Sequence, residues 1–206
     1  MSKSRDLLGL SVSRETMDRL EVFSDVLVKW NPKINLVSRR SLEDLWVRHI
    51  VDSVQVFKTA PAKCKSWVDI GSGGGFPGVI AAIVAADESP ETQFTLIESD
   101  QRKSAFLRNA ARECDVPLKV ISKRIEQVEP QNADVLSARA LADLSDLMLF
   151  AEQHLAHDGV ALFPKGENWK KEVDKSKSEW RFDVDPVKSL TESNAVILKI
   201  RGIVRV

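Results

Sequence analysis

Tyrosine is missing from this chain altogether, and cysteine occurs only at Cys64 and Cys114. Two isolated cysteines offer neither metal-ligand spacing nor a disulfide framework, and they fit a reducing, cytoplasmic setting. No apolar run approaches the ~20 residues that a bilayer-spanning helix needs, so no membrane partner is expected. The start, Met1-Ser2-Lys3-Ser4-Arg5-Asp6, has no apolar segment of the secretory kind. Net charge is lacking too, with 30 Lys and Arg against 30 Asp and Glu. A zero sum neither demands nor excludes a nucleic-acid partner, because local patches matter more than the total. Internal repeats and low-complexity tracts are absent.

A chain of 206 residues can bury one substantial core and carry a short accessory segment. Between Ser13 and Trp30, Met17, Leu20, Phe23, Leu27 and Trp30 recur at helical spacing. Residues 31–40 read as an irregular polar link. Ser41-Leu42-Glu43-Asp44 then resembles a capping box, and Leu42, Trp46, Ile50, Val54 and Phe57 continue a second helix. Residues 1–60 are therefore expected to form a helical extension, and residues 61–206 one compact core.

From Trp67 the texture becomes strand–helix alternation. Short β-prone runs at 67–70, 93–98, 118–121, 134–137 and 160–163 are separated by helical stretches at 78–86, 102–114 and 143–155. That order predicts βαβ units and a parallel sheet covered by helices. A charged helical stretch follows Lys165-Gly166 and runs to about Glu179. Its lysines (170, 171, 175, 177) interleave with Glu172, Asp174 and Glu179, as on a solvated face. Two final strands, 182–190 and 195–204, have no helix between them, so an antiparallel hairpin at the sheet edge is expected. The fold class is α/β: a mainly parallel seven-stranded, Rossmann-like sheet with an antiparallel C-terminal hairpin.

Residues 69–78 read Asp-Ile-Gly-Ser-Gly-Gly-Gly-Phe-Pro-Gly, with five glycines in the last eight positions. So many glycines are costly in chain entropy unless backbone must approach a ligand where a Cβ would collide. Pro77 suits the first turn of the following helix, where its missing N–H costs nothing. The run satisfies the dinucleotide pattern Gly-x-Gly-x-x-Gly, which places a pyrophosphate on a helix N-terminus. It equally fits S-adenosylmethionine, which carries no phosphate. In that case Asp69 helps fix the loop and its polar ligand contacts, Gly71 and Gly73 lie against the ligand, and Glu98 accepts hydrogen bonds from the ribose. An acidic residue at that strand end serves both ligands. The early Asp69 and the terminal hairpin favour S-adenosylmethionine as cofactor. An NAD-dependent dehydrogenase, a methyltransferase of small molecules and a catalytically silent RNA-binding factor remain the alternatives.

With Asp69–Gly78 in hand, other segments fall into place: Trp30-Asn31 with Asn35-Leu36, Arg48-His49-Ile50-Val51-Asp52-Ser53, Glu98-Ser99, Lys103, Phe106-Leu107, Arg124-Ile125-Glu126, Ser137-Ala138-Arg139-Ala140 and Lys165-Gly166. In this order they resemble the RsmG (GidB) family of bacterial methyltransferases of small-subunit ribosomal RNA. The resemblance implies a class I S-adenosylmethionine-dependent enzyme that methylates N7 of a guanine in 16S rRNA near the decoding centre. It also implies that Gly71 and Phe76 line the cofactor site, that Ile125 and Glu126 hold the adenine side, and that Arg139 sits where cofactor and target meet. The partner would be 16S rRNA or a small-subunit assembly intermediate, and the enzyme is expected to act as a monomer.

Methyl transfer from a sulfonium is an in-line displacement. Guanine N7 already presents a lone pair and needs no deprotonation, so alignment and water exclusion are the enzyme's main tasks. This agrees with what the sequence lacks. Cys64 and Cys114 both read as structural rather than as the nucleophile that carbon-5 pyrimidine methylation requires. The Asp/Asn-Pro-Pro-Tyr/Phe box of amino-group methylases is replaced by Ser137-Ala138-Arg139-Ala140. No catalytic acid, base or nucleophile and no metal site is assigned. RNA contacts are expected from Arg48, His49, Lys103, Arg124 and Lys165, with salt-dependent affinity if they meet phosphate. His49 serves equally well as a capping or core group, and Trp30 and Trp46 fit helix-packing positions.

Overall fold

A computed structural model describes residues 7–206. The first helix, α1 (Arg14–Ile34), starts at Ser13, whose Oγ accepts the Thr16 N–H at 3.1 Å. Its apolar stripe is Leu20, Phe23 and Leu27, all fully buried. The helix runs one turn further than the sequence predicts, through Pro32. Trp30 and Ile34 pack on the core beneath it, and that packing carries the turn past a residue of poor helical propensity. Asn35, at φ 50, closes it by donating to the Asn31 carbonyl. The Asn31 side chain, buried, then brackets Val37, accepting from its N–H at 2.8 Å and donating to its carbonyl at 3.1 Å.

The second expected helix is broken into three pieces. A single turn, α2 (Arg39–Glu43), is capped by Ser38 rather than by Ser41. A π-helical turn spans Trp46–Val51 and leads into α3 (Asp52–Thr59). Apolar spacing alone reads straight through such a bulge, because inserting one residue in a turn leaves the buried stripe nearly continuous.

The core is strands β1 (Ser66–Ile70), β2 (Gln93–Ile97), β3 (Lys119–Ile121), β4 (Ala133–Ser137), β5 (Leu155–Lys165), β6 (Trp180–Lys188) and β7 (Val196–Arg205). Helices α4 (Gly78–Glu88), α5 (Gln101–Glu113), α6 (Leu144–His154) and α7 (Trp169–Ser176) lie between them. Strand order is β3-β2-β1-β4-β5-β7-β6. The first five strands are parallel, and β7 pairs antiparallel with both β5 and β6. This departs from the all-parallel 3-2-1-4-5-6 order of a doubly wound dinucleotide sheet and matches the expected edge hairpin. Strand β5 begins well before the run that the sequence suggests. Its first residues are half-buried, His157 and Asp158 are exposed, and a register shift at Ala133–Val135 interrupts the pairing. The charged helix α7 ends earlier than expected.

Helices α1, α3, α4 and α5 cover one face of the sheet. Leu20, Phe23, Ile80, Ile83 and Phe106 belong to one continuous core there, so the N-terminal helices are packed onto the sheet's helical layer. Helices α6 and α7 cover the other face with Met148, Phe163 and Trp180. Asn31→Ala is expected to lower the unfolding free energy by about 2–3 kcal/mol, because it strands both buried backbone groups of Val37. A shift of the urea midpoint at constant slope would register it.

Candidate functional site

Strand order reverses between β1 and β4, so their C-terminal ends open the crevice where open α/β sheets bind ligands. The glycine turn follows β1 at that point. Asp69 is fully buried behind it. Its Oδ1 accepts from Ser137 Oγ at 2.6 Å, and Ser137 Oγ in turn accepts from Trp67 Nε1 at 2.8 Å, which ties β1 to β4. Its Oδ2 lies under the first turn of α4: a Cβ on Gly78 would stand 2.6 Å from it. Burial pushes the Asp69 carboxyl up to about 6, against the Ser137 hydrogen bond that lowers it. Asp69 therefore fixes the loop from behind, as expected, but offers a ligand no surface.

The turn itself is strapped to β2. The Gly71 and Ser72 N–H groups donate to the Ile97 carbonyl at 2.9 and 3.3 Å. Glu98, buried, accepts from the Gly73 N–H through Oε2 at 2.9 Å and from the Asp100 N–H through Oε1 at 2.8 Å. Gly73 has φ 49, and a Cβ there would meet only the Gly71 carbonyl, at 3.7 Å, so its α-carbon faces open space. The Phe76–Pro77 bond is cis, and Pro77 stands just ahead of α4.

A cavity of about 350 Å³ lies over this turn, within the size range of small-molecule sites. Gly71, Gly73, Glu98, Ile125 and Glu126, which the sequence offers as cofactor contacts, all line it. The turn carrying Ile125 is held from α6, where His154 Nε2 lies 3.3 Å from the Ile125 carbonyl and Gln153 Nε2 donates to the Val128 carbonyl at 2.9 Å. Lys103 and Arg124, expected to meet RNA, line the same cavity. Leu141, Asp146 and Phe150 also line it and escaped sequence reasoning, since they carry no motif and reach the site only through the loop after β4 and the start of α6. Leu141 Cδ1 would lie 2.6 Å from a Cβ on Gly71, so the glycine's bare α-carbon forms a hollow that a neighbouring side chain fills.

Phe76 and Arg139 are not part of that wall. They lie beside a second cleft of about 760 Å³, lined by Arg48, Asp52, Arg139, Lys165, Glu172 and Glu192 among others. Ala140, at φ 50, lines both cavities, so the two meet at the residue after Arg139. Phe76 is buried, with the His49 ring stacked on it at 4.8 Å between centroids and the Arg139 guanidinium 6.0 Å from its centre. Arg139 Nη2 donates to the Arg48 carbonyl at 2.6 Å, and its Nε stands 3.6 Å from Asp52 Oδ2. The Arg48 carbonyl belongs to the π-helical turn. Asp52 Oδ1 accepts from Thr191 Oγ1 at 3.3 Å. Lys165 is tied down by Glu172 at 2.7 Å and by the Ala142 carbonyl at 2.9 Å. Glu172, which the charge pattern places on a solvated face, also accepts the Leu144 N–H and so helps fix the loop after β4.

Burial raises the Asp52 carboxyl and lowers the Arg139 guanidinium, while each offsets the other's shift. A guanidinium stays charged throughout the accessible pH range. His49 is pushed down to about 3, first by burial and then by Arg139 and Arg48, so its ring is neutral. Three nitrogens here, both of His49 and Nη1 of Arg139, are buried without a hydrogen-bond partner among the described residues. Burial pushes the Cys64 and Cys114 thiols up to about 12, which removes them as nucleophiles.

The chain has relatives of known family. The family model described as rRNA small subunit methyltransferase G (GidB) matches residues 16–200. A Ruegeria sp. (strain TM1040) protein named ribosomal RNA small subunit methyltransferase G is 64% identical over 206 residues, spanning 100% of both chains. A Paracoccus denitrificans protein of the same name is 46% identical and covers 94% of this chain and 98% of its own length. Among solved structures, a SAM-dependent methyltransferase from Aquifex aeolicus superposes with a TM-score of 0.59 at 10% identity, covering 79% of this chain and 98% of the other. The ribosomal protein L11 methylase from Lactobacillus delbrueckii subsp. bulgaricus gives 0.59 at 15% identity over 74% and 77%. At those identities the likeness is one of fold.

His49 gives the site a measurable signature. Its pKa is depressed from 6.5 to about 3 on folding, so the unfolded chain binds the extra proton and stability is lost as pH falls below the unfolded value. Asp69, raised to about 6, has the opposite sign, losing stability as pH rises towards that value. His49→Gln isolates the first effect. Relative to this variant, the parent should lose on the order of 1 kcal/mol per pH unit below about pH 6.5 in urea unfolding. A difference that is flat with pH would mean an imidazole that protonates freely.

Proposed function

The chain belongs to the rRNA small subunit methyltransferase G family, and we propose that it transfers the methyl group of S-adenosylmethionine to N7 of a guanine in 16S rRNA near the decoding centre. It is an S-adenosylmethionine-dependent methyltransferase of small-subunit rRNA. The observation that carries the finer reading is the meeting of two cavities at Ala140, one over the glycine turn and one beside Arg139. A donor and an acceptor held in them face each other across one residue.

The residues fit the cofactor. The bare α-carbons of Gly71 and Gly73 leave the cradle open, and Glu98, fixed by two backbone N–H groups, keeps lone pairs for ribose hydroxyls. Ile125 and Glu126 flank the adenine side. When bound, the cofactor supplies an electrophilic methyl group on a sulfonium sulfur. The chain's own part is to orient and to exclude water. The Phe76 ring, with His49 stacked on it, lies behind the Arg139 guanidinium, which is anchored from two sides. Burial leaves His49 a very weak base and keeps the Cys64 and Cys114 thiols protonated, which suits an acceptor that needs neither base nor nucleophile. Arg48, exposed, and Lys165 at the second cleft are the groups for the RNA backbone. Lys103 and Arg124 reach RNA only at the mouth of the cofactor cavity.

Gly73→Val should lower S-adenosylhomocysteine affinity at least about 100-fold, since its side chain would project into the cavity. Its cost in stability should be about 1–2 kcal/mol, from a left-handed backbone. Calorimetric titration and thermal melting separate the two, and retained affinity would move the cofactor elsewhere. The acceptor atom is tested by mapping N7-methylguanosine in 16S rRNA from cells with and without the gene, and in deletion-strain subunits treated with purified protein. N7-methylguanosine should appear at one position only with the protein. A methyl group on any other atom overturns the reading.

A further inference from the structure

We infer that Glu172 selects guanine by accepting the N1–H of the target base on its open carboxylate oxygen, an inference that rests on guanine N7 as the methylated atom. An enzyme that works on one base takes it out of the stack and reads it by hydrogen bonds to its Watson–Crick edge. On that edge guanine presents N1–H and the N2 amino group, both donors, whereas adenine presents a bare N1, an acceptor. A fixed acceptor in the second cleft therefore tells the two apart.

Four carboxylates line that cleft: Asp44, Asp52, Glu172 and Glu192. Asp52 is buried, with Oδ2 facing Arg139 at 3.6 Å and Oδ1 accepting from Thr191. Asp44 and Glu192 are exposed, and no hydrogen bond to the described residues holds either side chain. Glu172, in the first turn of α7, is both fixed and open. Its Oε2 accepts from Lys165 Nζ at 2.7 Å and from the Leu144 N–H at 3.1 Å. Its Oε1 has no hydrogen-bond partner among the described residues and, unlike Nη1 of Arg139, is not sealed from solvent; the side chain is 27% exposed. A hydrogen bond from a base to a carboxylate is roughly twice as strong as one between neutral groups.

Position agrees with this role. The two cavities meet at Ala140, and the loop that continues from there bonds Glu172 through the Leu144 N–H, four residues on. Four residues span at most about 14 Å, so the carboxylate lies within reach of a single base whose N7 faces the junction. Lys165, at the end of β5, also donates to the Ala142 carbonyl at 2.9 Å. It is a positioning residue that locks the carboxylate to that loop. Val47, exposed, and Pro164 line the same cleft and offer apolar surface to the faces of the base.

The test uses the full chain and small subunits reconstituted with 16S rRNA ligated from segments that carry guanosine or 2-aminopurine riboside at the target. Both keep N7 and the 2-amino group, but 2-aminopurine presents N1 as a bare acceptor. For the parent enzyme, kcat/KM on 2-aminopurine should fall at least about 100-fold below guanosine. In Glu172→Gln the amide oxygen has to stay in the place of Oε2, where it accepts from Leu144 and Lys165. The amide NH2 then replaces Oε1 and sets a donor against the guanine N1–H. This variant should raise the 2-aminopurine-to-guanosine ratio of kcat/KM at least about 10-fold, chiefly by losing activity on guanosine. A purely structural Glu172 would leave the ratio unchanged, because Gln keeps both contacts, and that result overturns the inference. Equal rates of the parent enzyme on the two bases overturn it as well, while leaving N7 methylation intact. The parent measurement depends on no variant folding, and mapping the methylated atom on the guanosine substrate separates failure of the N7 reading from failure of N1 recognition.

Discussion

The site is organised by a carboxylate that no ligand touches. Asp69 joins the end of β1 to the end of β4 through Ser137 and sits directly beneath the first turn of α4, at 2.6 Å from where a Gly78 Cβ would be. Those two strands flank the point at which the sheet reverses its order. Their separation and stagger decide where the turn at 71–77 and the loop after Ser137 can go. Arg139 is two residues beyond Ser137, so the bond that closes the crevice also sets the base of the arginine. The positive end of a helix lies above the carboxylate, yet burial still holds its pKa at about 6. The fold tolerates an expensive buried acid where it fixes both walls of the crevice at once.

The crevice was legible in the sequence because its wording is local. A β-prone run, an acid, clustered glycines and a helix form one contiguous stretch, and Glu98 follows the next strand. Gly71, Gly73, Glu98, Ile125 and Glu126 accordingly converge on one cavity. The strand alternation was equally plain, and the absence of a helix between the last two strands gave away the hairpin. Other features depend on contacts that sequence distance hides. Apolar spacing runs unbroken through the π-helical turn at Trp46–Val51, so nothing there announces a carbonyl turned towards Arg139. Lys103 and Arg124, basic residues near loops that the sequence offers as RNA contacts, line the cavity over the glycine turn, a placement that sequence distance hides. Glu172 looked solvated in a helix of alternating charge, yet it caps the loop after β4 and holds Lys165.

The second cleft is assembled from parts that have no sequence proximity at all. Arg48 and Asp52 come from the N-terminal helices, Arg139 from the end of β4, Lys165 from the end of β5 and Thr191 from the hairpin turn. One buried side chain links two of these. Gln55, on α3, donates to the Lys188 carbonyl at 2.7 Å and accepts the Leu190 N–H at 2.9 Å, buckling the β6–β7 turn to the helical extension. The turn can then present Thr191 to Asp52. The parallel part of the sheet supplies the cavity over the glycine turn, and the helical extension and the hairpin together supply most of the second cleft.

The charge pattern of this cleft is mixed rather than uniformly basic. RNA is polyanionic, and a basic patch is its ordinary partner. Methylating a ring nitrogen nevertheless leaves a cation on the base, and a field built only from arginine and lysine would resist that step. Here each buried cation beside the junction meets a carboxylate: Arg139 with Asp52, and Lys165 with Glu172. His49, near Arg139, is held neutral by burial and by its cationic neighbours. Arg48, exposed, lines the same cleft. The arrangement leaves a cation at the rim and opposed, paired charges further in.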